Sequence, residues 1–417
     1  MRLVYKFEIE NNDILSELCK ISKNLYNQTL YVAKQELNKN NRWLFYYDLE
    51  KVMKVTTNLD GVINYKLLKA QVAQQCIKQV DKDIRGYIKA IKEWSKNKGK
   101  FNGKPKLPKY KKTDKNQLVY TNQSCQIKGG VLVLGKNVKI RIPQWDKYKE
   151  RLNRFQQVQV NPKQDGKIGI NIIYLVDDII IDETKERKYA SIDLGIDNLV
   201  TMIVEDCKPI IYNGKQIKSL NQFFNKEHAR LKSQLNAKKK QYTSKRISRV
   251  YSKMNNVLND VFHKLSRHIV RILVSNGITD IVVGYNKGWK DSIHLGRKNN
   301  QTFVQIPYLK LIEYLEYKCK MCGIRMIMNE ESYTSKCDSL VMEDIGKHDV
   351  YLGKRVKRGL YQSSSGKLLN ADVNGALNIM RKVVGDSAIT SRIINSGLLF
   401  NPLRIKDLYN LNSYKEF

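Results

Sequence analysis

A short apolar stretch with one embedded acid constrains this chain most. The residues from Ser191 to Thr201, SIDLGIDNLVT, follow a basic run and predict a buried strand whose only early charge is Asp193. An aspartate in the middle of an apolar strand is costly to bury. It persists when something pairs with it, and a divalent metal is the usual partner. The alternative is a turn aspartate that caps the bend at Gly195, and these residues alone leave both interpretations open.

The charge balance indicates a polyanionic partner. The chain has 417 residues, of which 42% are hydrophobic, so it is long and apolar enough for two or three globular domains. Its net charge is +35, from 75 Lys and Arg against 40 Asp and Glu. Such an excess favours nucleic acid as the first candidate partner and an anionic membrane as the second.

Targeting signals and disulfides are not predicted. No apolar run approaches the ~18 residues of a membrane span, and the N-terminal residues MRLVYKFEIENN lack the apolar core of a signal peptide. We therefore expect a cytoplasmic protein with no membrane partner. The seven cysteines are odd in number and scattered, which fits reduced thiols rather than a disulfide framework.

The first part of the chain predicts a β unit interrupted by helices. An alternating strand from Leu3 to Ile9 precedes two helical patterns, from Asn12 to Leu37 and from Tyr65 to Trp94. Short strands with glycine turns follow between Gln117 and Val176 and predict an antiparallel, barrel-like unit. The opening strand can join that unit, which makes the helices an insertion. The predicted units are residues 1–10 with 113–180 for the β unit and 11–112 for the helical insertion.

A lysine-rich segment between these parts is a candidate nucleic-acid contact. Lys96 to Lys112 contains eight lysines and no acid, interleaved with Phe101 and Tyr110. Aromatic rings stack on bases while ammonium groups neutralise phosphates. The alternative is a solvated linker, which the charge of the whole chain disfavours. The residues predicted to touch nucleic acid here are Lys100, Lys104, Lys106, Lys109, Tyr110 and Lys111.

A second basic region begins near Lys215. From there to Lys253 the sequence holds twelve Lys and Arg and a single acid, Glu227. Acidic partners one turn away do not offset this charge, so phosphates would relieve its repulsion best. The predicted contacts in this region and in the later GYNKGWK motif are Lys239, Lys240, Lys245, Arg246, Arg249, Trp289 and Lys290.

The order of elements after residue 180 predicts a mixed α/β core. Three strands are followed by helix, strand, helix, strand and helix, which is the order of a ribonuclease-H-type sheet with helices on both faces. Carboxylates from its first strand, a later strand end and the last helix are Asp193, Glu330 with Glu331, and Asp372. Converging carboxylates hold two divalent ions about 3.5–4 Å apart in phosphodiester hydrolysis. Alternatively, Asp372 is only a favoured first-turn acid, and the glutamates are a polar strand end.

Several motifs resemble the TnpB family. They are SIDLGIDNLVT, GYNKGWK, ESYTSK and ADVNGALNI, together with the basic KPKLPKYKK, and they cover nearly the whole chain in the same order. This family comprises transposon-encoded RuvC-type nucleases that resemble the ancestors of type V CRISPR effectors. The resemblance implies an RNA-guided DNA endonuclease whose guide, an omega RNA, pairs with one strand of a double-stranded DNA target beside a short motif. It implies a bacterial, nucleoid-associated monomer in its ribonucleoprotein.

The resemblance also implies the architecture. A wedge-like β barrel is interrupted by a helical recognition unit and followed by a RuvC domain, here 181–383, with a tail at 384–417. An insertion at 338–367 stands in place of the family's zinc-binding module.

One departure from the family concerns the active site. Many members have a catalytic Glu where this chain has Gly284. Glu330 or Glu331 is the hypothesised relocated acid, and strand alternation sends the two to opposite faces, so we expect only one to serve. With Asp193 and Asp372 it would hold two Mg²⁺ ions, for which Mn²⁺ can substitute. The alternative functions are a nuclease-inactive RNA-guided repressor and a guide-independent DNA-binding accessory of transposition.

A second departure concerns zinc. Only Cys337 remains of the family's first Cys-x-x-Cys pair, and the second pair is replaced by the residues Gln362 to Ser365. Structural zinc needs four sulfur or imidazole ligands, so we expect none. Cys319 and Cys322 lie on a predicted helix with no second pair and are not expected to bind metal. The insertion Asp338–Lys367 should then be held by packing or be mobile.

Overall fold

The chain folds as two compact units. The computed structural model describes residues 1–135, 138–181, 183–184, 186–235, 243–286, 306–389 and 393–411. The units are Met1–Asp177 and Asp178–Phe417. In the described part of the chain, every helix is too short or too polar to cross a membrane.

The N-terminal unit is built on an antiparallel sheet that the first strand joins from far along the chain. Its order is β1–β7–β6–β2, and β1 pairs with β7 from Arg2 opposite Leu175 to Ile9 opposite Ile168. The opening strand is thus part of the same sheet as the strands that follow the helices. The strands are β1 (Arg2–Ile9), β2 (Leu118–Thr121), β6 (Phe155–Pro162) and β7 (Ile168–Leu175).

A smaller sheet completes the β part of this unit. It contains β3 (Gln126–Lys128), β4 (Val131–Val133) and β5 (Lys139–Arg141), followed by helix α4 (Trp145–Leu152). Between the described strands, no ladder connects it to the four-stranded sheet. Gly130 turns the chain into β4 at φ +80°, and a Cβ there would lie 2.9 Å from Cγ of Trp145. The sequence predicted neither β3 nor α4, which are too short for a periodic signal.

The helices of this unit lie between β1 and β2 along the chain. They are α1 (Asp13–Asn40), α2 (Tyr46–Met53) and α3 (Ala70–Lys96). Asn12 caps α1, because its Oδ1 accepts a hydrogen bond of 3.0 Å from the backbone N–H of Leu15. The short α2 was not predicted. Side chains from α1 and α3 share one hydrophobic core with the four-stranded sheet.

The C-terminal unit contains the mixed sheet that the sequence predicted. Its strand order is β12–β11–β8–β9–β10–β16, with β8, β11 and β12 parallel to one another and β9 antiparallel to β8 and β10. The last strand, β16, lies in the tail, where no element was predicted, and pairs with β10 in parallel. The strands are β8 (Tyr189–Leu194), β9 (Asn198–Val204), β10 (Ile210–Asn213), β11 (Asp280–Gly284), β12 (Arg325–Asn329) and β16 (Leu403–Ile405).

Helices cover both faces of this sheet. On one face, Ile192 and Met202 pack into a core that includes residues of α6 and α7. On the other face, Ile203 and Ile211 pack against α8. The predicted ribonuclease-H-type arrangement is thereby confirmed. The helices are α5 (Lys215–Ser233), α6 (Lys245–Ser275), α7 (Tyr308–Met321), α8 (Ala371–Val384) and α9 (Asp386–Ile389).

A buried carboxylate organises the segment 338–367. The segment supplies β13 (Lys354–Lys357) and β14 (Leu360–Gln362), which form a three-stranded antiparallel sheet with β15 (Leu368–Asn370). Asp338 is fully buried. Its Oδ2 accepts hydrogen bonds from Oγ of Ser363 at 2.8 Å and from the backbone N–H of Ser364 at 2.7 Å.

Helix α8 fastens the start of the same segment. Oδ1 of Asn374 accepts a hydrogen bond of 2.7 Å from the hydroxyl of Ser339, and its Nδ2 donates one of 2.9 Å to the carbonyl of Cys337. Nδ2 of Asn378 donates a further bond of 2.7 Å to that carbonyl. The sequence predicted packing or mobility here and missed this buried polar network, since its partners are distant along the chain.

Replacing Asp338 with Ala is expected to loosen this segment. Loss of the carboxylate leaves buried hydroxyl and amide donors without an acceptor, which costs about 2 kcal/mol. Amide hydrogen exchange across residues 338–367 should accelerate about 30-fold. Asp349→Ala is the matched control, because Asp349 lies exposed in the same segment. Equal exchange rates in the two variants would show that the network does not hold the segment.

Candidate active site

The site begins at the carboxyl end of β8. Ile192 on β8 lies opposite Val283 on β11, so Asp193 comes next to Gly284, the last residue of β11. The hydroxyl of Ser191 donates a hydrogen bond of 2.7 Å to the carbonyl of Ala376, which fastens this strand to α8. Ser191 and Asp193 share a strand face, so the carboxylate of Asp193 is directed toward α8.

Helix α8 brings Asp372 to Asp193. Asp372 lies in the first turn of α8, which Asn370 caps by accepting a hydrogen bond of 3.0 Å from the Asp372 N–H. One turn later, a Cβ on Gly375 would lie 2.9 Å from Oδ2 of Asp193. The missing side chain therefore lets the helix approach the strand. Oδ2 of Asp372 also accepts a hydrogen bond of 2.5 Å from Nδ2 of Asn198 on β9, a residue that the sequence did not single out.

Glu331 fills the space beside Gly284. A Cβ on residue 284 would lie 2.8 Å from Oε2 of Glu331 and 2.5 Å from Cδ1 of Ile379 on α8. The backbone N–H of Glu331 donates a hydrogen bond of 2.9 Å to Oδ1 of Asn286, which fixes the chain just after β12. Oε2 of Glu331 is buried without a hydrogen-bond partner among the described residues. A glycine at the end of β11 thus makes room for an acid from the next strand.

Glu330 faces away from this cluster. Its side chain is 58% exposed, and Oε2 lies 3.1 Å from Nζ of Lys382. Oε1 accepts a hydrogen bond of 2.9 Å from the backbone N–H of Ser332. The two consecutive glutamates after β12 therefore face different surroundings, and of the two it is Glu331 that lies beside Gly284.

Like charges and burial raise two of these pKa values. Burial is the main cause that raises the pKa of Asp193 well above its usual range, and the charges of Asp372 and Glu331 add to it. Burial, together with the charge of Glu330, raises the pKa of Glu331 to about 7. The pKa of Glu330 is lowered, chiefly by its hydrogen bonds from Ser332 and with help from Lys382.

The donor set fits a hard divalent cation. Three carboxylates with a buried, unpartnered oxygen offer the ligands that Mg²⁺ and Mn²⁺ prefer. In the described ranges, no three His, Cys, Asp or Glu side chains are arranged to hold one metal ion. Asp193, Asp372 and Glu331 are therefore electrostatic neighbours rather than a preformed ion cage.

The predicted lysine-rich contacts lie on the surface of the N-terminal unit. Lys106 and Lys109 are exposed, whereas Lys100 pairs with Glu93 at 2.8 Å. Nζ of Lys104 lies 5.7 Å from the ring centre of Trp94. Lys111 lines an open cavity of about 400 Å³, and the ring of Tyr110 lies 4.4 Å below Nζ of Lys34.

The second predicted basic group is only partly described. Lys245, Arg246 and Arg249 are exposed in the first two turns of α6. The helix dipole disfavours cations at this end, so an anion there would relieve them. The remaining predicted contacts, Lys239, Lys240, Trp289 and Lys290, lie outside the described residues.

The structure reveals a basic stripe on α3 that the sequence analysis missed. Six exposed cations follow one face of the helix at spacings of three or four residues. Such spacing places side chains on one helix face. It is the signal in the sequence from which this stripe could have been predicted. Arg85 also lies 4.2 Å from the ring centre of Phe45. The stripe consists of Lys78, Lys82, Arg85, Lys89, Lys92 and Lys96.

Comparison with known families identifies two matching regions. The family model OrfB_IS605, described as "Probable transposase", matches residues 171–290. The model for a Cas12f1-like TNB domain matches residues 308–379. A curated relative, the TnpB-like protein ORF457 of Acidianus two-tailed virus, is 25% identical over 402 residues, which cover 89% of this chain and 83% of the relative.

Two solved structures share the fold. The Cas12f1 structure, a complex with sgRNA and target DNA, has a TM-score of 0.56 and 16% identity, covering 88% of this chain and 82% of that chain. The mini RNA-guided endonuclease CRISPR-Cas_phi3 has a TM-score of 0.54 and 11% identity, covering 91% and 92%. These similarities confirm the fold class predicted from the sequence.

The metal-free site should give Glu331 and Glu330 opposite pH behaviour. Because the folded-state pKa of Glu331 is about 7 against an ordinary 4.5, its carboxyl destabilises the fold increasingly between those values and fully above pH 7. Glu331→Gln should therefore raise the free energy of unfolding by about 2 kcal/mol at pH 8, after allowance for solvent screening. The gain should be absent near pH 4.

Chemical denaturation in chelator at both pH values measures this difference. Glu330→Gln is the matched control. The folded-state pKa of Glu330 is lowered, so its carboxylate stabilises the fold above its ordinary pKa, and the variant should gain nothing at pH 8. A gain for Glu331→Gln that did not change with pH would contradict the burial of its carboxyl group.

Proposed function

We propose, on the premise that this chain belongs to the TnpB family, that it is an RNA-guided DNA endonuclease of a transposable element. Its site would hydrolyse phosphodiester bonds. The observation that carries the proposal is the carboxylate of Glu331, which occupies the space beside Gly284 next to Asp193. An acid relocated from the neighbouring strand supplies the charge that a glycine at the end of β11 would otherwise remove.

Asp193, Asp372 and Glu331 would hold two divalent ions, Mg²⁺ or Mn²⁺. When bound, the ions supply an activated water and stabilise the leaving oxygen of the phosphodiester. The protein's own contribution is to hold the carboxylates against mutual repulsion. The hydrogen bond from Asn198 orients Asp372, and the close approach at Gly375 places α8 against Asp193.

Guide RNA and double-stranded target DNA are the proposed partners. The Cas12f1 relative of similar fold was solved with sgRNA and target DNA. In this chain, the net charge of +35, the stripe on α3 and the exposed lysines of the segment Lys96 to Lys112 support binding to phosphate backbones. The mini RNA-guided endonuclease of similar fold further supports an RNA guide over binding to DNA alone.

A nuclease-inactive RNA-guided repressor is the second candidate. Gly284 favours it, as does the finding that no three metal-ligating side chains of the described residues form a ready ion site. The buried orientation of Glu331 favours cleavage instead. Incubation of plasmid with the guide-loaded protein and Mg²⁺ separates the two functions. A guide-independent accessory would co-purify with no RNA of fixed sequence.

Exchange of each glutamate tests the relocated acid. Glu331→Gln should lower target cleavage by at least about 100-fold, since even outer partners of a metal contribute about 10- to 100-fold. Glu330→Gln should cut at nearly the rate of the unmodified protein, because Glu330 pairs with Lys382 away from the cluster. The measurement is single-turnover cleavage of plasmid by the guide-loaded protein in Mg²⁺.

A second variant tests the same idea without changing charge. Gly284→Ala adds one methyl group where Oε2 of Glu331 and Ile379 already lie, so it should displace the carboxylate and slow cleavage. Full activity of both Glu331→Gln and Gly284→Ala would rule out the relocated acid. If the unmodified protein bound its target normally but did not cut it, the result would support the nuclease-inactive repressor instead.

The stripe on α3 should contribute to guide RNA binding. Replacing Lys82, Lys89 and Lys92 with Ala should weaken binding and reduce the slope of log affinity against log salt by about 2, because each phosphate contact contributes about 0.7 to 0.9. Fluorescence anisotropy at several salt concentrations measures the slope. The control variant replaces Lys128, Lys139 and Lys147 with Ala, because these lysines are exposed elsewhere in the same unit. Equal slopes would show that only net charge matters.

A further inference from the structure

The hairpin of β13 and β14 presents cations beside the acidic cluster. Residues 354–358, KRVKR, contain four cations, and all four are exposed. Two of them reach acids of the site region. Nη2 of Arg355 lies 4.0 Å from Oδ1 of Asp372, and Arg358 forms an ion pair with Asp197.

Arg355 acts on both aspartates of the cluster. It pairs with Asp372, and its charge also opposes the rise in the pKa of Asp193. Other nearby cations are engaged elsewhere, since Lys382 pairs with Glu330 and Lys218 with Asp197. Among the described residues, Arg355 is therefore the cation that offsets the charge of Asp372.

The ion pair between Arg355 and Asp372 is weak enough for Arg355 to change partners. Its side chain is 49% exposed and that of Asp372 is 33% exposed, and an ion pair of this exposure contributes little stability. A divalent cation at Asp372 would repel the guanidinium, whereas a phosphate would attract it in a two-pronged hydrogen bond. Arg355 can thus pair with either of two anions, the carboxylate of Asp372 or a phosphate. A divalent cation at Asp372 favours the phosphate.

We propose that Arg355 is a positioning residue that neutralises Asp372 before divalent ions bind, and that it then transfers to the phosphodiester backbone of the DNA strand. This inference rests on the proposed function, because that function supplies both the ions and the strand. The hairpin thereby responds to metal occupancy, because Arg355 binds the DNA backbone only when divalent ions occupy the site.

Direct binding of Mn²⁺ to the full chain without nucleic acid tests the first half. Arg355→Ala should bind Mn²⁺ about threefold more tightly, because the ions no longer compete with a guanidinium in a partly exposed pair. Arg355→Lys should restore binding close to that of the unmodified protein. Lys357→Ala is the matched control, since it removes one charge from the same hairpin at a residue with no ion pair among the described residues.

Salt dependence of binding to a phosphorothioate single strand tests the second half. Arg355→Ala should reduce the slope of log affinity against log salt by about 0.7 in Mn²⁺, the value of one phosphate contact on a single strand. In chelator, its slope should equal that of the unmodified protein. Lys357→Ala should change the slope by the same amount in both conditions, since no acid in the described part of the chain pairs with Lys357.

The outcomes separate this inference from the function on which it rests. Unchanged or weaker Mn²⁺ binding by Arg355→Ala, relative to Lys357→Ala, would overturn the exchange. A slope that falls equally with and without Mn²⁺ would also overturn it. If neither the unmodified protein nor Asp193→Asn bound Mn²⁺, the metal site of the proposed function would be wrong, and the inference would be wrong with it.

Discussion

Repulsion among three carboxylates is the constraint on which the C-terminal unit is arranged. Asp193, Asp372 and Glu331 come from a strand, a helix and a strand end, and the backbone of these three elements brings them together although Asp372 and Glu331 both raise the pKa of Asp193. Two glycines allow this placement, since Gly375 admits Asp193 to the surface of α8 and Gly284 admits Glu331 to the end of β11. The packed sheet and its helices supply the stability that such a cluster lacks.

Helix α8 connects this cluster to the inserted segment. One face of the helix carries Asp372 and Gly375 toward the sheet. Another carries Asn374 and Asn378, which form hydrogen bonds with the carbonyl of Cys337 and with the hydroxyl of Ser339. Arg381 extends that face by donating a hydrogen bond of 3.0 Å to the carbonyl of Glu343. The position of a site acid and the order of the segment therefore depend on the same helix.

The buried network around Asp338 illustrates what can hold a segment that lacks a complete set of four metal ligands. A single carboxylate accepts bonds from a hydroxyl and a backbone amide of the opposite loop, and Glu343 accepts a hydrogen bond of 2.6 Å from the N–H of Asp338. Charge-assisted bonds of this kind are stronger than neutral ones. They keep the adjacent hairpin, with Arg355 on it, beside the acidic cluster.

Periodicity and composition by themselves determined most of the architecture. Alternation in β1, the apolar pattern of α1 and the order of elements after residue 180 gave the β unit, its helical insertion and the mixed sheet. Short elements such as β3 and α2 escaped because too few residues carry a period. The motifs also gave the candidate acids, but they left Glu330 and Glu331 equivalent. Only the tertiary structure distinguished them, because which glutamate faces Asp193 depends on how β12 lies against β11 and on the room that Gly284 leaves. The partners of Asp338 and Arg355 were likewise decided by folding, since hydrogen bonds and ion pairs between residues distant along the chain leave no periodic trace in a single sequence.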